Sequence, residues 1–124
     1  MGDLRDQPYL SLATFRKSGK AVETAVWFAA ADSKLYVFTA GDSGKVKRLR
    51  NSARSRVAPC DVRGGVQGDW NDAQTRIVED PASIERAYAA LRTKYGLRMR
   101  ITDLLSRLTG RYAKRAILEI QLAD

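Results

Sequence analysis

Alternation of apolar and polar residues dominates the first third of the chain and predicts β-strands. Residues 9–15 alternate, and a turn that carries Gly19 leads into a second alternating stretch over residues 21–30. Residues 34–39 are rich in β-branched and aromatic side chains and predict a third strand. Short turns join the three segments, so they predict an antiparallel meander.

Three more strands are predicted in the rest of the chain, over residues 55–62, 73–79 and 116–122. Six mostly antiparallel strands with few helices are typical of a small closed barrel, so the fold class is mainly β. The 124 residues are enough to bury a core without disulfides or metal, and they predict one domain over residues 1–124.

Short helices are predicted between the strands. Residues 45–53 have an apolar stripe of Val46, Leu49 and Ala53. Asp80 and Pro81 are typical of a helix start, and Gly96 is expected to end that helix. A further short helix is predicted over residues 102–108.

Composition excludes several kinds of site. The chain has one cysteine, Cys60, and no histidine, which excludes Ser-His-Asp and Cys-His nucleophiles and argues against a zinc site. No apolar run is long enough to span a bilayer, and residues 1–6 are too polar for a secretory leader. Asp6 stands where N-myristoylation expects Ser or Thr. These features predict a cytoplasmic protein with no metal and no membrane partner.

The net charge of +8 is concentrated in two segments. Residues 43–60 contain six Lys and Arg residues and no acid, and residues 98–115 contain six opposed only by Asp103. Two basic segments could track nucleic acid, or they could surround one polyanionic cofactor if the fold brings them together.

The first basic segment begins where a helix is predicted to begin. Ser43 is a candidate N-cap, and Gly44 leaves the backbone open at the helix N-terminus. This end of a helix carries partial positive charge and unpaired N–H groups, so Lys45 and Arg48 add charge of the same sign. An anion at this position, most simply a phosphate, would make the arrangement favourable.

Residues 12–20 and 25–28, followed by residues 39–51 and 56–61, resemble the pyridoxamine-phosphate-oxidase-like split β-barrels. The most similar branch is the class-B, F420-dependent reductases of the flavin/deazaflavin oxidoreductase group. The resemblance runs in order from Tyr9 to Leu122. It departs from the pattern at Ala25, where many relatives have proline.

The resemblance implies a six-stranded split barrel, an obligate homodimer, and a groove at the dimer interface for coenzyme F420 or FMN. The phosphate-binding positions of the family correspond to Thr39, Ser43, Lys45 and Arg48, with Gly44 between them and Arg50 adjacent. The strand beside the cofactor ring corresponds to Ala58, Pro59 and Cys60. No catalytic side chain is assigned.

The resulting hypothesis is an oxidoreductase that transfers hydride from F420 or FMN to a small unsaturated or carbonyl substrate. The second basic segment would suit the anionic tail of F420. The alternatives are a non-catalytic flavin or deazaflavin carrier or sensor and, less favoured, a nucleic-acid-binding barrel, because strands 1–3 show no series of exposed aromatic residues.

Three side chains are interpreted more simply. Trp27 is expected in the core or a dimer contact, and Trp70 in a pocket wall or a dimer contact. Cys60 is expected to be a buried strand residue, not a nucleophile.

Overall fold

A seven-stranded, entirely antiparallel sheet forms the body of the protein in this computed structural model, which describes residues 4–123. The strands are β1 (Leu10–Phe15), β2 (Ala21–Val26), β3 (Phe28–Ala31), β4 (Lys34–Ala40), β5 (Arg54–Pro59), β6 (Asn71–Val78) and β7 (Arg115–Leu122). Their order in the sheet is β2-β1-β5-β6-β7-β4-β3. The curled, mainly β architecture confirms the predicted fold class. Residues 1–3, which belong to the segment of the leader and myristoylation expectations, and Asp124, the last residue of the predicted domain, lie outside the described residues.

The prediction of six strands is wrong by one, because the stretch over residues 21–30 divides at Trp27. Val26 pairs with Leu10 of β1, whereas Phe28 pairs with Val37 of β4. β2 and β3 are therefore the two edges of the sheet, although one residue separates them in the chain. This link holds the two edges close together, and it produces the curl of the sheet.

Three α-helices cover the sheet: α1 (Gly44–Asn51), α2 (Pro81–Tyr95) and α3 (Leu97–Leu108). The Asp80 side chain accepts a hydrogen bond from the backbone N–H of Ser83 at 3.0 Å, which confirms the predicted start of α2. α1 ends two residues before Ala53, which is exposed, so the predicted stripe on α1 consists only of Val46 and Leu49.

α3 is longer than predicted. Gly96 ends α2 as expected, with φ of 55°, and the chain enters α3 at the next residue instead of at 102. The glycine supplies the left-handed conformation that reverses the chain without a loop.

The core lies inside the curled sheet and beneath α2. Leu10, Leu12, Phe28, Leu118 and Ile120 are fully buried within the sheet. A second layer joins the outer face of the sheet to α2 through the buried residues Tyr36, Ile117, Ala87 and Leu91, with Tyr88 and Tyr95 packed at its border. No helix in the described part of the chain is long and apolar enough to cross a membrane.

A buried carboxylate ties this second layer together. Glu119 on β7 is 4% exposed and accepts hydrogen bonds from Arg76 Nε at 2.9 Å, Lys34 Nζ at 3.1 Å and Tyr36 Oη at 3.0 Å. Burial alone would raise the pKa of Glu119, but these three donors together hold the pKa below its usual value.

We expect Glu119→Gln to lower the free energy of unfolding by about 1–3 kcal/mol at neutral pH, because Lys34 and Arg76 lose their ionic partner. A carboxyl with a lowered pKa in the folded state stabilises the fold above its unfolded pKa, and that contribution disappears as pH falls through the folded pKa. The variant should therefore lose less stability than the wild type on acidification. Urea denaturation at neutral and acidic pH measures both effects, with Glu79→Gln, an exposed carboxylate, as the control. Equal stability of Glu119→Gln and wild type at neutral pH would contradict the expectation.

Candidate functional site

The two basic segments of the chain come together at the residue that follows β4. The backbone N–H of Gly41 donates a hydrogen bond of 2.8 Å to the carbonyl oxygen of Lys114. A Cβ atom at Gly41 would lie 2.5 Å from that same oxygen, so this close approach requires glycine. The fold thus places the segment that begins α1 beside the segment that follows α3.

Ser43 occupies the N-cap position of α1, but its side chain does not cap the helix. Its backbone is extended, with φ of −68° and ψ of 157°, and Oγ makes no capping hydrogen bond. This oxygen is buried and has no hydrogen-bond partner among residues 4–123. A buried hydroxyl is normally satisfied, so an unpaired one beside the free N–H groups of a helix start fits an acceptor that comes from outside the chain.

Arg48 folds back from the second turn of α1 to the start of the helix. Its Nε donates a hydrogen bond of 2.6 Å to Thr14 Oγ1 on β1, which fixes the plane of the guanidinium. A Cβ at Gly44 would lie 2.7 Å from Nη1 of Arg48, so glycine leaves room for this side chain over the helix N-terminus. Burial, and then the charge of Arg16, lowers the pKa of Arg48.

Lys45 is half-buried beside this arginine and lines a cavity of about 210 Å³. Burial, and then the charge of Arg48, lowers the pKa of its ammonium group. Burial and the charge of Arg48 both disfavour the charged form of Lys45. An anion bound here would offset the repulsion between Lys45 and Arg48. The other residues that line the cavity are Ala25, Val26, Trp27, Phe38, Thr39 and Thr102.

A second cavity has a volume of about 480 Å³. It adjoins the first, because Phe38 and Thr39 line both cavities. Arg111, Lys114 and Arg115 line it, with Asp42 as its one carboxylate. Arg115 is already paired with Asp103 at 2.8 Å, so Arg111 and Lys114 are the cations of this cavity that face solvent. Thr39 therefore lies between two sources of positive charge, one from each basic segment.

The structure does not bring all the predicted site residues together within one chain. Pro59 lines a separate cavity of about 400 Å³, beside Leu4, Gln67 and Asp69. β5, which carries Ala58 and Pro59, is separated from β4 in the sheet by β6 and β7. Ala58 and Cys60 are buried, and Arg50 is exposed on α1. Burial, and then the charge of Asp61, raises the pKa of the Cys60 thiol, which keeps the thiol protonated and fits a structural residue.

Five residues that line the first cavity are absent from the predicted site: Ala25, Val26, Trp27, Phe38 and Thr102. Trp27 stacks on Tyr95 with ring centroids 4.7 Å apart, and its edge meets Phe38 at 6.1 Å, so it packs on the core and also forms a cavity wall. Thr102 reaches the cavity from α3. Neither Trp27 nor Thr102 has a sequence signal for the site. Trp27 continues the alternating pattern of residues 21–30, and Thr102 belongs to a helix whose packing depends on the tertiary fold.

The described residues can hold an anion, but they provide few groups for acid–base or metal chemistry. Lys45 is the only titratable side chain that lines the first cavity. Within residues 4–123 there is no cluster of three or more potential metal ligands. The orphaned Ser43 hydroxyl, the glycine at the helix start and the partly desolvated cations fit the phosphate of a cofactor.

Comparison with protein families places this geometry in context. The family model for pyridoxamine 5'-phosphate oxidase matches residues 3–123. The chain belongs to this pyridoxamine 5'-phosphate oxidase family. The match confirms the resemblance found in the sequence, and no curated protein sequence matches the chain.

Solved structures share the fold of this pyridoxamine 5'-phosphate oxidase-family protein at low sequence identity. A conserved hypothetical protein of Mycobacterium tuberculosis is 21% identical, with a TM-score of 0.72 over 98% of this chain and 76% of that chain. The heme storage protein of Vibrio cholerae is 17% identical, with a TM-score of 0.70 over 95% and 83%. An F420 reductase is 18% identical, with a TM-score of 0.62 over 98% and 91%. These neighbours establish the fold, and their different activities show that the fold alone does not specify the reaction.

Proposed function

We propose that this protein is a flavin- or deazaflavin-dependent oxidoreductase that acts as a homodimer. The observation that carries the proposal is the start of α1, where the unpaired buried hydroxyl of Ser43 lies beside Lys45 and Arg48. Ser43, Gly44, Lys45 and Arg48 would hold the phosphate of the cofactor, with Thr39 at the border of the cavity. Arg50, which is exposed on the same helix, would add to the positive field.

The bound cofactor would supply the hydride for a small unsaturated or carbonyl substrate. The residues of the chain would fix the cofactor by its phosphate, exclude water with Trp27 and Phe38, and leave the reacting end of the cavity apolar. Because no carboxyl group lines this cavity, solvent or a tyrosine would deliver the proton that completes the reduction.

The separation of Pro59 from Thr39 within one chain supports the homodimer. The family positions beside the cofactor ring are Ala58 and Pro59 on β5 and Cys60 directly after it, and β6 and β7 separate β5 from the strand that carries Thr39. A second copy could supply that strand to the site of the first. Val62, Val66 and Trp70 are exposed apolar residues on the segment that follows β5, and they would contact the partner subunit.

F420 is favoured over FMN by the second cavity. Arg111 and Lys114 face solvent beside Thr39, where they could bind a further anionic group such as the tail of F420. FMN has a single phosphate and would leave these cations without a partner. A heme with a histidine axial ligand is excluded, because the chain has no histidine.

A non-catalytic carrier or sensor of the same cofactor remains the second candidate. It is favoured by the scarcity of titratable groups at the first cavity, where Lys45 has no acid or base beside it. Steady-state oxidation of the reduced cofactor by nitro, enone and quinone electrophiles separates the two functions. Turnover would establish the enzyme, and tight binding without turnover would establish the carrier.

Titration of the purified protein with F420 and with FMN, followed by absorbance and fluorescence, tests cofactor binding. We expect a micromolar or tighter dissociation constant for at least one of them, with F420 the tighter ligand. Failure of both to bind in this range would overturn the proposal, and salt-dependent binding of random DNA by the same sample would then favour a nucleic-acid-binding barrel.

A further inference from the structure

Helix α3 has an unusual apolar face that points away from the protein. Its inward face is buried through Met99 and Asp103. Its outward face consists of large aliphatic side chains whose exposed fractions lie between 51% and 74%. These residues are Leu97, Ile101, Leu104, Leu105 and Leu108. Scattered exposed aliphatic residues are ordinary, but five on one short helix form a continuous patch.

The spacing of the five residues places them in one stripe. They occupy positions i, i+4, i+7, i+8 and i+11, which fall on a single face at 3.6 residues per turn. That face lies opposite the buried Met99 and Asp103. A helix of 12 residues is about 18 Å long, so the stripe extends along the full length of α3.

Positive charge borders the stripe on both sides. By the same helical spacing, Arg98 lies along one border, and Arg100 and Arg107 lie along the other. The one acid between residues 96 and 115 is Asp103, which is buried and paired with Arg92 and Arg115. The outward surface of α3 is therefore apolar at its centre and purely cationic at its edges.

This pattern distinguishes between possible occupants. A second copy that met the stripe through its own α3 would oppose arginines to arginines, which is unfavourable. The surface of an anionic bilayer offers apolar chains to the centre of the stripe and phosphate groups to its cationic borders. The helix is too short to span, and an interfacial helix needs no spanning length.

We propose that α3 docks this protein on anionic lipid bilayers, with the helix in the plane of the interface and its leucine stripe among the upper acyl chains. The sequence-based expectation of no membrane partner rested on the lack of a spanning segment, which has no bearing on this mode of binding. The docking surface is independent of the proposed cofactor chemistry, and its test needs no cofactor.

Co-sedimentation of the full chain with lipid vesicles tests the proposal. We expect partitioning onto vesicles of phosphatidylcholine mixed with phosphatidylglycerol to be at least about tenfold stronger than onto phosphatidylcholine alone, and to weaken as salt is added. The double variant Leu104→Ser, Leu105→Ser should partition at least about tenfold more weakly than the wild type. The matched control is Ala82→Ser, Ala89→Ser, which introduces the same two serines at exposed positions of α2 and should partition like the wild type.

Circular dichroism checks that the variants fold. Arg98→Gln with Arg107→Gln provides a second variant that keeps the stripe and removes two of the charges at its borders, together with the contacts of these arginines with Tyr9 and Tyr112. This second variant should lose the preference for anionic vesicles. Failure of the wild type to sediment with the mixed vesicles would overturn the proposal, as would equal partitioning of the stripe variant and the wild type. A fall from dimer to monomer mass for the stripe variant in light scattering, without vesicle binding by the wild type, would assign the face to a second copy instead.

Discussion

Lys45→Met should weaken binding of F420 or FMN by about tenfold to a hundredfold, the loss expected for one charge-assisted hydrogen bond to a phosphate. The same variant should unfold with a free energy equal to or above that of the wild type. The reason is that Lys45 is partly desolvated and lies beside Arg48, so its charge opposes folding until an anion binds. A binding loss without a stability loss is typical of a ligand-holding residue.

Lys47→Met is the matched control for this prediction. Lys47 lies on the same helix and carries the same charge, but its side chain is exposed and lines neither cavity beside Thr39. Its replacement should change cofactor affinity by no more than about twofold, which is the effect of a distant, screened charge. Fluorescence titration of both variants measures the affinities, and urea denaturation measures the stabilities. Cofactor affinity of Lys45→Met equal to that of the wild type would remove the lysine from the site.

Asp103→Ala should produce the largest loss of stability, about 3–5 kcal/mol, because it leaves a buried arginine without a counterion. The side chain of Arg115 is 5% exposed, and its Nη1 donates a hydrogen bond of 2.8 Å to Asp103 Oδ1. The same guanidinium reaches Ser106 Oγ at 2.8 Å, so the pair attaches α3 to β7. Thermal or urea unfolding measures the loss.

Two comparisons make this second prediction specific. Asp72→Ala removes a partner of Arg56 at 3.1 Å, but that carboxylate is 77% exposed, so its loss should cost no more than about 1 kcal/mol. The double variant Asp103→Leu, Arg115→Met removes both buried charges and should recover much of the stability lost by Asp103→Ala. Similar losses for Asp103→Ala and Asp72→Ala would show that burial does not control the strength of these pairs.

Most of the strands and the start of α2 could be predicted from local pattern. Alternation in β1 and β4 and the Asp80-Pro81 signal of α2 each depend on residues close together in the chain. The division at Trp27 could not be predicted in this way, because the continuous β-pattern of residues 21–30 does not reveal that its two halves pair with different strands. The predicted helix over residues 102–108 is shorter than α3, because Arg98 and Arg100 in the first turns of α3 stand out in the sequence as charge and not as part of a helix.

The proximity of Ser43, Gly44, Lys45 and Arg48 could be predicted, because they share one helix start, and their binding of a phosphate stays a prediction. The distances that matter there, from Arg48 to Thr14 and from Gly41 to Lys114, join residues far apart in the chain and required the structure. The placement of Ala58, Pro59 and Cys60 rested on the family resemblance. β5 is separated from β4, the strand of Thr39, by β6 and β7, and none of these three residues lines the cavity beside Lys45.

Recognition of a phosphate at the start of α1 is the property on which the proposed function depends most. The most direct measurement compares dissociation constants for ligands that differ only in that region: FMN against riboflavin, and F420 against its deazaflavin fragment that lacks the phosphate. We predict that the phosphate-bearing member of at least one pair binds tenfold or more tightly, as expected for charge-assisted hydrogen bonds. Measurable binding of both members of each pair with equal affinity would contradict the account.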